Sequence, residues 1–484
     1  MLRRLLLLTT LFLSGAAVAD SPASEAKLPA DAIRADFDAL YAGLKSAHYD
    51  LYARRSKAEY DALFATMRRE LDAPLALDEV ERRFQRFTAY GNVAHARIDA
   101  VARGWEAFRA AGGKAFPLAL RVVDGRVYVA DDYSGADGIA VGDEVLKVDS
   151  TSALRWLDAM RTYLSADNDY LAYAQLETRL PMYVWLARGA VDAFDVVLRR
   201  PDGSKVARHL AAQDRAGFQA AEAKQSQRFV LDWNERVARL LDDGVAYLRP
   251  GPFYDNRPEA ADPWDNKAFV AFIDESFANF IAAGAKDLVI DLRDNPGGDN
   301  SFSDAMIAWF ATKPFRFTDA FDIRVSEQTT ASNAKRLDGA ADSISAKFAA
   351  AYAKAKPGEH VRFAIPFAQP REGERYQDRV HLLVNRHSYS NTVNVAAIVQ
   401  DYRFGDILGE ETADLASTLG AMETFTLPNS GIVVGYPKAR ILRPNGDAKP
   451  RGVVPDFAIA TPVRASAKDV VLERALAHVH RSSR

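Results

Sequence analysis

The chain contains no cysteine in 484 residues. That excludes disulfides, a thiolate nucleophile and every zinc site built on sulfur. It has no surplus of positive charge either: 62 Lys and Arg stand against 65 Asp and Glu, a formal net charge of −3. There is thus no electrostatic footprint for nucleic acid. The 8 histidines never fall in the H-E-x-x-H spacing of a metalloprotease helix, and no glycine-rich phosphate loop follows a strand. No metal and no organic cofactor is implied. Beyond the N-terminus no apolar run is long enough for a membrane span.

What is present starts with Arg3-Arg4, an apolar run from Leu5 to Val18, and Ala17-Val18-Ala19 in the small-x-small form of a cleavage site. Residues 1–19 read as a secretory signal removed after Ala19. The alternative is an uncleaved anchor, for which the run is short. A signal ahead of a cysteine-free body predicts a periplasmic or secreted protein with no integral membrane span after cleavage.

The length allows two or three domains. From Asp31 to about Ala111 the apolar spacing is helical: Phe37, Leu40, Tyr41 and Leu44 recur on one face, and Tyr60 to Leu71 and Leu77 to Phe87 behave alike. Residues 20–112 are expected to form a helical domain. After Gly112-Gly113 the texture turns to strands. Phe116 to Val122 and Arg126 to Ala130 flank the turn Asp124-Gly125, Ser152–Leu164 looks helical, and Ala193–Arg199 with Lys205–Leu210 close around Pro201-Asp202-Gly203. The segment Gly138-Ile139-Ala140-Val141-Gly142-Asp143-Glu144-Val145-Leu146-Lys147-Val148 resembles PDZ domains, giving a PDZ-like unit over 113–212. From 213 to 484 short apolar runs (Val245–Leu248, Leu288–Leu292, Leu382–Val384, Asp406–Leu408) alternate with helical segments at Lys267–Ala283 and Asn391–Asp401, which indicates an α/β layer structure. The Ala/Lys-rich stretch 325–372 reads as an insertion carrying a helix. No internal repeat is visible.

Two segments of this last region carry chemistry. Leu288-Val289-Ile290 runs into Asp291-Leu292-Arg293-Asp294-Asn295-Pro296-Gly297-Gly298, a strand ending in a turn whose glycines can bring bare N–H groups close to a ligand. That is how an oxyanion hole is built. Leu382-Leu383-Val384 leads through Asn385-Arg386-His387-Ser388-Tyr389 to Ser390, at the start of the helix beginning Asn391. There the unsatisfied N–H groups and the helix dipole favour developing negative charge. Ser390 reads either as an N-cap or as a nucleophile, with the Asn391 N–H a second oxyanion donor beside Gly297 or Gly298.

Taken in order with Ile407-Leu408-Gly409-Glu410-Glu411-Thr412, Leu427-Pro428-Asn429-Ser430-Gly431 and Gly452-Val453-Val454-Pro455-Asp456, these motifs resemble the S41 peptidases, the family of C-terminal processing and tricorn-type proteases. The resemblance implies a crotonase/ClpP-like α/β catalytic core, peptide or protein substrates, a Ser390 nucleophile and an oxyanion hole at Gly297 or Gly298 and Asn391. One branch of the family takes its base from a lysine in Gly-x-x-Thr-x-Gly-Lys. Here the corresponding stretch, Gly409 to Ala416, has none, and Lys438 is the first lysine after Ser390. The other branch uses a histidine of the N-terminal domain, in the place of His95 within Tyr90-Gly91-Asn92-Val93-Ala94-His95. Imidazole suits the task because its ordinary pKa lies near neutrality. His387 is the alternative base.

The tricorn-like branch places its triad acid, a Glu, shortly before the terminal Gly-Val-x-Pro-Asp. Asp447 is the nearest carboxylate, with Glu410, Glu411 and Glu423 as alternatives. The PDZ-like unit is compatible either with capture of a chain end by β-augmentation, hence a tail-directed endopeptidase, or with a lid. A non-catalytic binding protein on the same scaffold and an esterase using the same serine are the rival readings.

Overall fold

The computed structural model describes residues 27–224, 229–337, 339–340, 343–464 and 466–482. The signal-sequence reading of residues 1–19 lies outside the described residues. Four helices come first: Ala30–Ala47, Lys57–Arg69, Leu77–Ala89 and Val101–Ala110. The second opens with a capping box, in which the Ser56 side chain accepts the Glu59 N–H and the Glu59 carboxylate accepts the Ser56 N–H. Phe37, Leu40 and Leu44 are fully buried, as their spacing requires, but the helices do not close this core alone. Leu427, Ile432, Val434 and Tyr436 from the far end of the chain fill it with them. Buried Asp36 accepts the N–H groups of Asn429 and Ser430 at 2.9 and 2.7 Å, docking the Leu-Pro-Asn-Ser-Gly turn on the first helix.

Residues 118–211 form a six-stranded antiparallel sheet from Leu118–Val123, Arg126–Asp132, Glu144–Val148, Thr151–Ser152, Ala193–Arg199 and Lys205–Ala211. The first hairpin turns at Asp124 and Gly125, with φ of 50 and 73°, the mirror-image turn that an Asp-Gly pair favours. Two helices pack on the sheet, Ala153–Met160 and Asp169–Arg188. The second has no counterpart in the sequence reading. Its apolar residues surround the whole circumference and it contains Pro181, so it has no stripe to read. Its backbone leaves helical geometry at Arg179 (φ −135°, ψ 17°), just before the proline.

The remaining chain builds the layer that carries the two motif loops. Its six-stranded sheet runs, from one edge, Phe457–Ala458, Asp406–Gly409, Arg379–Val384, Asp287–Asp291, Ala246–Arg249 and Val237–Leu240. Every pair is parallel except the last hairpin. On one face Leu248, Ile290, Leu382 and Ile407 meet Phe277, Met306 and Ile398. On the other, Val289, Leu383 and Leu408 meet Val471, Ala475 and Val479 of the helix Val470–Ser482. Cover on both faces is why these strands read as unbroken apolar runs rather than alternating ones.

The stretch 325–372 holds more than the single helix expected. Helices Glu327–Ala334 and Ile344–Tyr352 precede a strand, His360–Phe363. That strand pairs with Ala320–Arg324 and extends a sheet whose other members are the long hairpin strands Thr418–Thr426 and Val433–Leu442. The first helix, rich in Thr, Ser and Asn, is weak by propensity; Ser326 starts it by accepting the Thr329 N–H. Among the described residues no helix is long and apolar enough to cross a membrane.

Candidate active site

Strands Asp287–Asp291 and Arg379–Val384 are parallel neighbours, so the loops after them leave from the same edge of the sheet, the edge where open α/β sheets bind ligands. Polar bonds stitch the loops together. The Tyr389 N–H donates to the Asn295 carbonyl at 3.0 Å, and Ser388 Oγ donates to the Leu292 carbonyl at 2.8 Å. The Asn385 side chain accepts the Asp294 N–H at 3.0 Å and donates to the Asp294 carboxylate at 2.7 Å. Asn295 Oδ1 accepts both the Gly297 N–H and the Thr392 hydroxyl at 2.9 Å. Asp291 and Arg293, by contrast, are buried in the strand end: Arg293 grips Asp291 and Asp469, and the Tyr247 hydroxyl donates to Asp291 at 2.7 Å.

Ser390 occupies the N-cap position of helix Asn391–Tyr402, yet its side chain makes no capping bond. Its backbone is strained for a residue with a Cβ, φ 54° and ψ −122°. Gly297 packs against it with φ 87°. A Cβ there would lie 2.6 Å from the Tyr389 carbonyl oxygen and 2.7 Å from the Asn391 nitrogen, so only glycine fits. The two glycines differ as donors. The Gly297 N–H is taken by Asn295. Gly298 is bridged to Phe253 through its neighbours, Phe253 N–H to the Gly297 carbonyl and Asp299 N–H to the Phe253 carbonyl, which turns its own N–H away from that ladder. Among the described residues the N–H groups of Gly298 and Asn391 have no hydrogen-bond acceptor. The Asn391 side chain is held by Asn300 and Ser303.

His95 reaches this edge from the N-terminal helices. Its loop is pinned by the Ala94 N–H donating to Asp167 at 3.1 Å and by paired backbone bonds between Arg97 and Gly435. The imidazole stacks on the Tyr389 ring, centroids 5.8 Å apart and planes 20° from parallel, so it adjoins the residue before Ser390. It is 8% exposed, and Nδ1 has no hydrogen-bond partner. Burial, and then the charge of Arg97, push it down to about 4, with the Leu419 carbonyl acting the other way. It is therefore neutral across the physiological range.

The other expected residues are engaged elsewhere. His387 Nε2 lies 3.1 Å from Glu177. Glu410 is shared by Arg386 and Arg121 at 3.2 and 3.4 Å, Glu411 pairs with Arg451 at 3.0 Å, and Glu423 pairs with Lys438 at 2.6 Å. Asp447 accepts the Lys449 N–H at 3.0 Å within its own turn, and no bond joins it to His95. The carboxylate that does touch Ser390 is Asp414, which accepts the Ser390 N–H at 2.7 Å. It stands where Gly-x-x-Thr-x-Gly-Lys has its second glycine. A charged residue in place of that glycine was the signal available in the sequence. Burial, then the nearby Asp167, push Asp414 up to about 7.

A serine left uncapped at the edge of a parallel sheet, with unclaimed N–H groups beside it, has the form of a serine hydrolase site. The model of peptidase family S41 matches residues 265–459, the part of the chain holding both loops. Residues 265–459 are an S41 peptidase region, and the protein is a serine-type peptidase. Its fold is similar to that of mature CPAF complexed with lactacystin, with a TM-score of 0.62 and 15% identity over 94% of this chain and 97% of that one. A second structure of mature CPAF gives a TM-score of 0.58 and 16% identity over 88% of this chain and 93% of that one. At such identity the likeness is one of fold. No curated protein sequence matches the chain.

Proposed function

We propose that the protein is an exported endopeptidase that cleaves peptide bonds through an acyl-enzyme on Ser390. The observation carrying this reading is the Ser390 side chain, which sits at a helix start without capping it, on a strained backbone. In the proposed first step His95 takes the Ser390 hydroxyl proton as Oγ bonds to the substrate carbonyl carbon. The tetrahedral oxyanion is met by the Gly298 and Asn391 N–H groups. The C–N bond then breaks, and the leaving amine takes the proton from His95. Water repeats the sequence to free the acid and restore Ser390. For Asp447 to act as the orienting acid, its turn has to release Lys449 and approach Nδ1 of His95.

The antiparallel unit at 113–212 is proposed as PDZ-like, beside a helical domain at 20–112 and a crotonase/ClpP-like domain at 213–484. Arg386, four residues before Ser390, is bonded to Glu177 of the antiparallel unit at 2.9 Å, which favours a unit docked on the site over a free spacer. Tail-directed cleavage and export with removal of residues 1–19 belong to the same proposal.

The test is labelling of the mature protein with a fluorophosphonate, followed by peptide mapping, with Ser390→Ala alongside. A single adduct on Ser390 and loss of peptidase activity in the variant are expected. Folded protein that takes no adduct across a range of pH would turn the scaffold into a binding protein, and ester cleavage without amide cleavage would make it an esterase.

A further inference from the structure

Two buried carboxylates beside the nucleophile have no part in the reaction above. Asp414 is 1% exposed. Its Oδ2 accepts the Ser390 N–H at 2.7 Å and its Oδ1 accepts the Leu415 N–H at 2.9 Å. The loop behind it is braced by the Thr412 hydroxyl, which donates to the Asp414 carbonyl at 3.1 Å and accepts the Val453 N–H at 2.9 Å. Asp167, also buried, accepts the N–H of Ala94, the residue before His95, and pairs with Arg54 at 2.8 Å. One carboxylate thus holds the backbone of the serine and the other the backbone of the residue before the histidine. Ser390 has a positive φ and sits at the head of a helix whose own bonds do not include its N–H. Without Asp414 nothing among the described residues accepts that N–H.

We propose that Asp414 is a positioning residue for hydrolysis, fixing Ser390 in its strained turn, while Asp167 fixes the His95 loop in register with it. The inference rests on Ser390 being the nucleophile. Asp414 never meets substrate; it acts through the serine backbone. An ionised carboxylate accepts both N–H groups, whereas a protonated one must point its own hydroxyl hydrogen at one of them. The grip is therefore pH-dependent. The charged and titratable groups around it are Arg97 from the N-terminal helical region, Asp167 from the antiparallel unit, and Tyr389 beside Ser390. Asp167 favours the protonated form and Arg97 the ionised one.

The experiment uses the full mature chain and two readouts, the fluorophosphonate labelling rate at Ser390 as a function of pH and hydrogen exchange of the Ser390 amide. Asp414→Asn puts one amide group where two acceptors are needed. It is expected to slow labelling and kcat by about 10- to 100-fold, with KM nearly unchanged and faster Ser390 exchange. Asp167→Asn removes the repulsion, so the acid limb of the labelling profile is expected to move to lower pH by about one unit. This second variant decides the matter if Asp414→Asn does not fold. Absence of any adduct on the wild type sinks the reading of Ser390. Normal wild-type labelling that Asp414→Asn leaves unchanged, with the Ser390 amide equally protected, sinks the inference alone, as does a pH profile indifferent to Asp167→Asn.

Discussion

A side-chain carbon placed on Gly297 would stand 3.0 Å from Cβ of Ser390, so the glycine loop and the Ser390 turn are in direct contact. Gly297→Ala must also adopt a φ of 87°, which residues with a Cβ avoid. The variant is expected to fold but to lose about 10²-fold in kcat/KM, because Ser390 is pushed away from the N–H groups proposed as oxyanion donors. Steady-state hydrolysis of a fluorogenic peptide checks this. Activity within a factor of two of wild type would show that the contact yields without consequence.

The two histidines are separated by their partners. His95 stacks on Tyr389, while His387 is bonded to Glu177. His95→Gln is expected to lower kcat/KM by about 10²- to 10⁴-fold as general base, and His387→Gln by no more than about threefold. The same assay decides, and a reversed order would make His387 the base.

Stability should follow pH in opposite senses at two buried groups. His95 titrates near 6.5 when unfolded and at about 4 in the fold. The unfolded state binds more protons between those values, so this contribution is complete above 6.5 and lost as pH falls through 4. Asp414 titrates near 3.8 unfolded and at about 7 in the fold. Its contribution is complete below 3.8 and lost as pH rises through 7. Urea midpoints measured from pH 4 to 8 are expected to change less steeply in the acid range for His95→Gln, and less steeply toward neutrality for Asp414→Asn. Curves parallel to wild type would contradict the burial on which both shifts depend.

Arg293 belongs to the family motif but is a structural cation. Replacing it by Met leaves Asp291 and Asp469 without their shared partner, a loss of about 3–5 kcal/mol for a buried pair. Chemical denaturation is the measurement. A destabilisation below about 1 kcal/mol would mean that Arg249 and Tyr247 suffice for Asp291.

The parallel sheet and both motif loops were legible because each depends on local pattern. The buried strands are continuous apolar runs, and Asn, Pro and Gly mark where Asp287–Asp291 must end. What escaped depends on contacts between distant segments. The helix Asp169–Arg188 has no stripe because partners surround it. The strand His360–Phe363 is short and exists to extend another sheet. The division of labour between Gly297 and Gly298 turns on one Asn295 side chain. Asp414 stands out only as a charged residue in place of a motif glycine; what it bonds to depends on the chain folding Ser390 onto it.

The bond from Asp36 to Asn429 spans 393 residues, and its consequence falls on synthesis. A ribosome releases the first helices long before the hairpin strands that finish their core exist. Phe37 and Leu40 must wait with an apolar face uncovered until almost the whole chain has been made. The newborn protein therefore carries His95 and Ser390 in parts that cannot yet be joined, and bringing them together is among the last events of its folding.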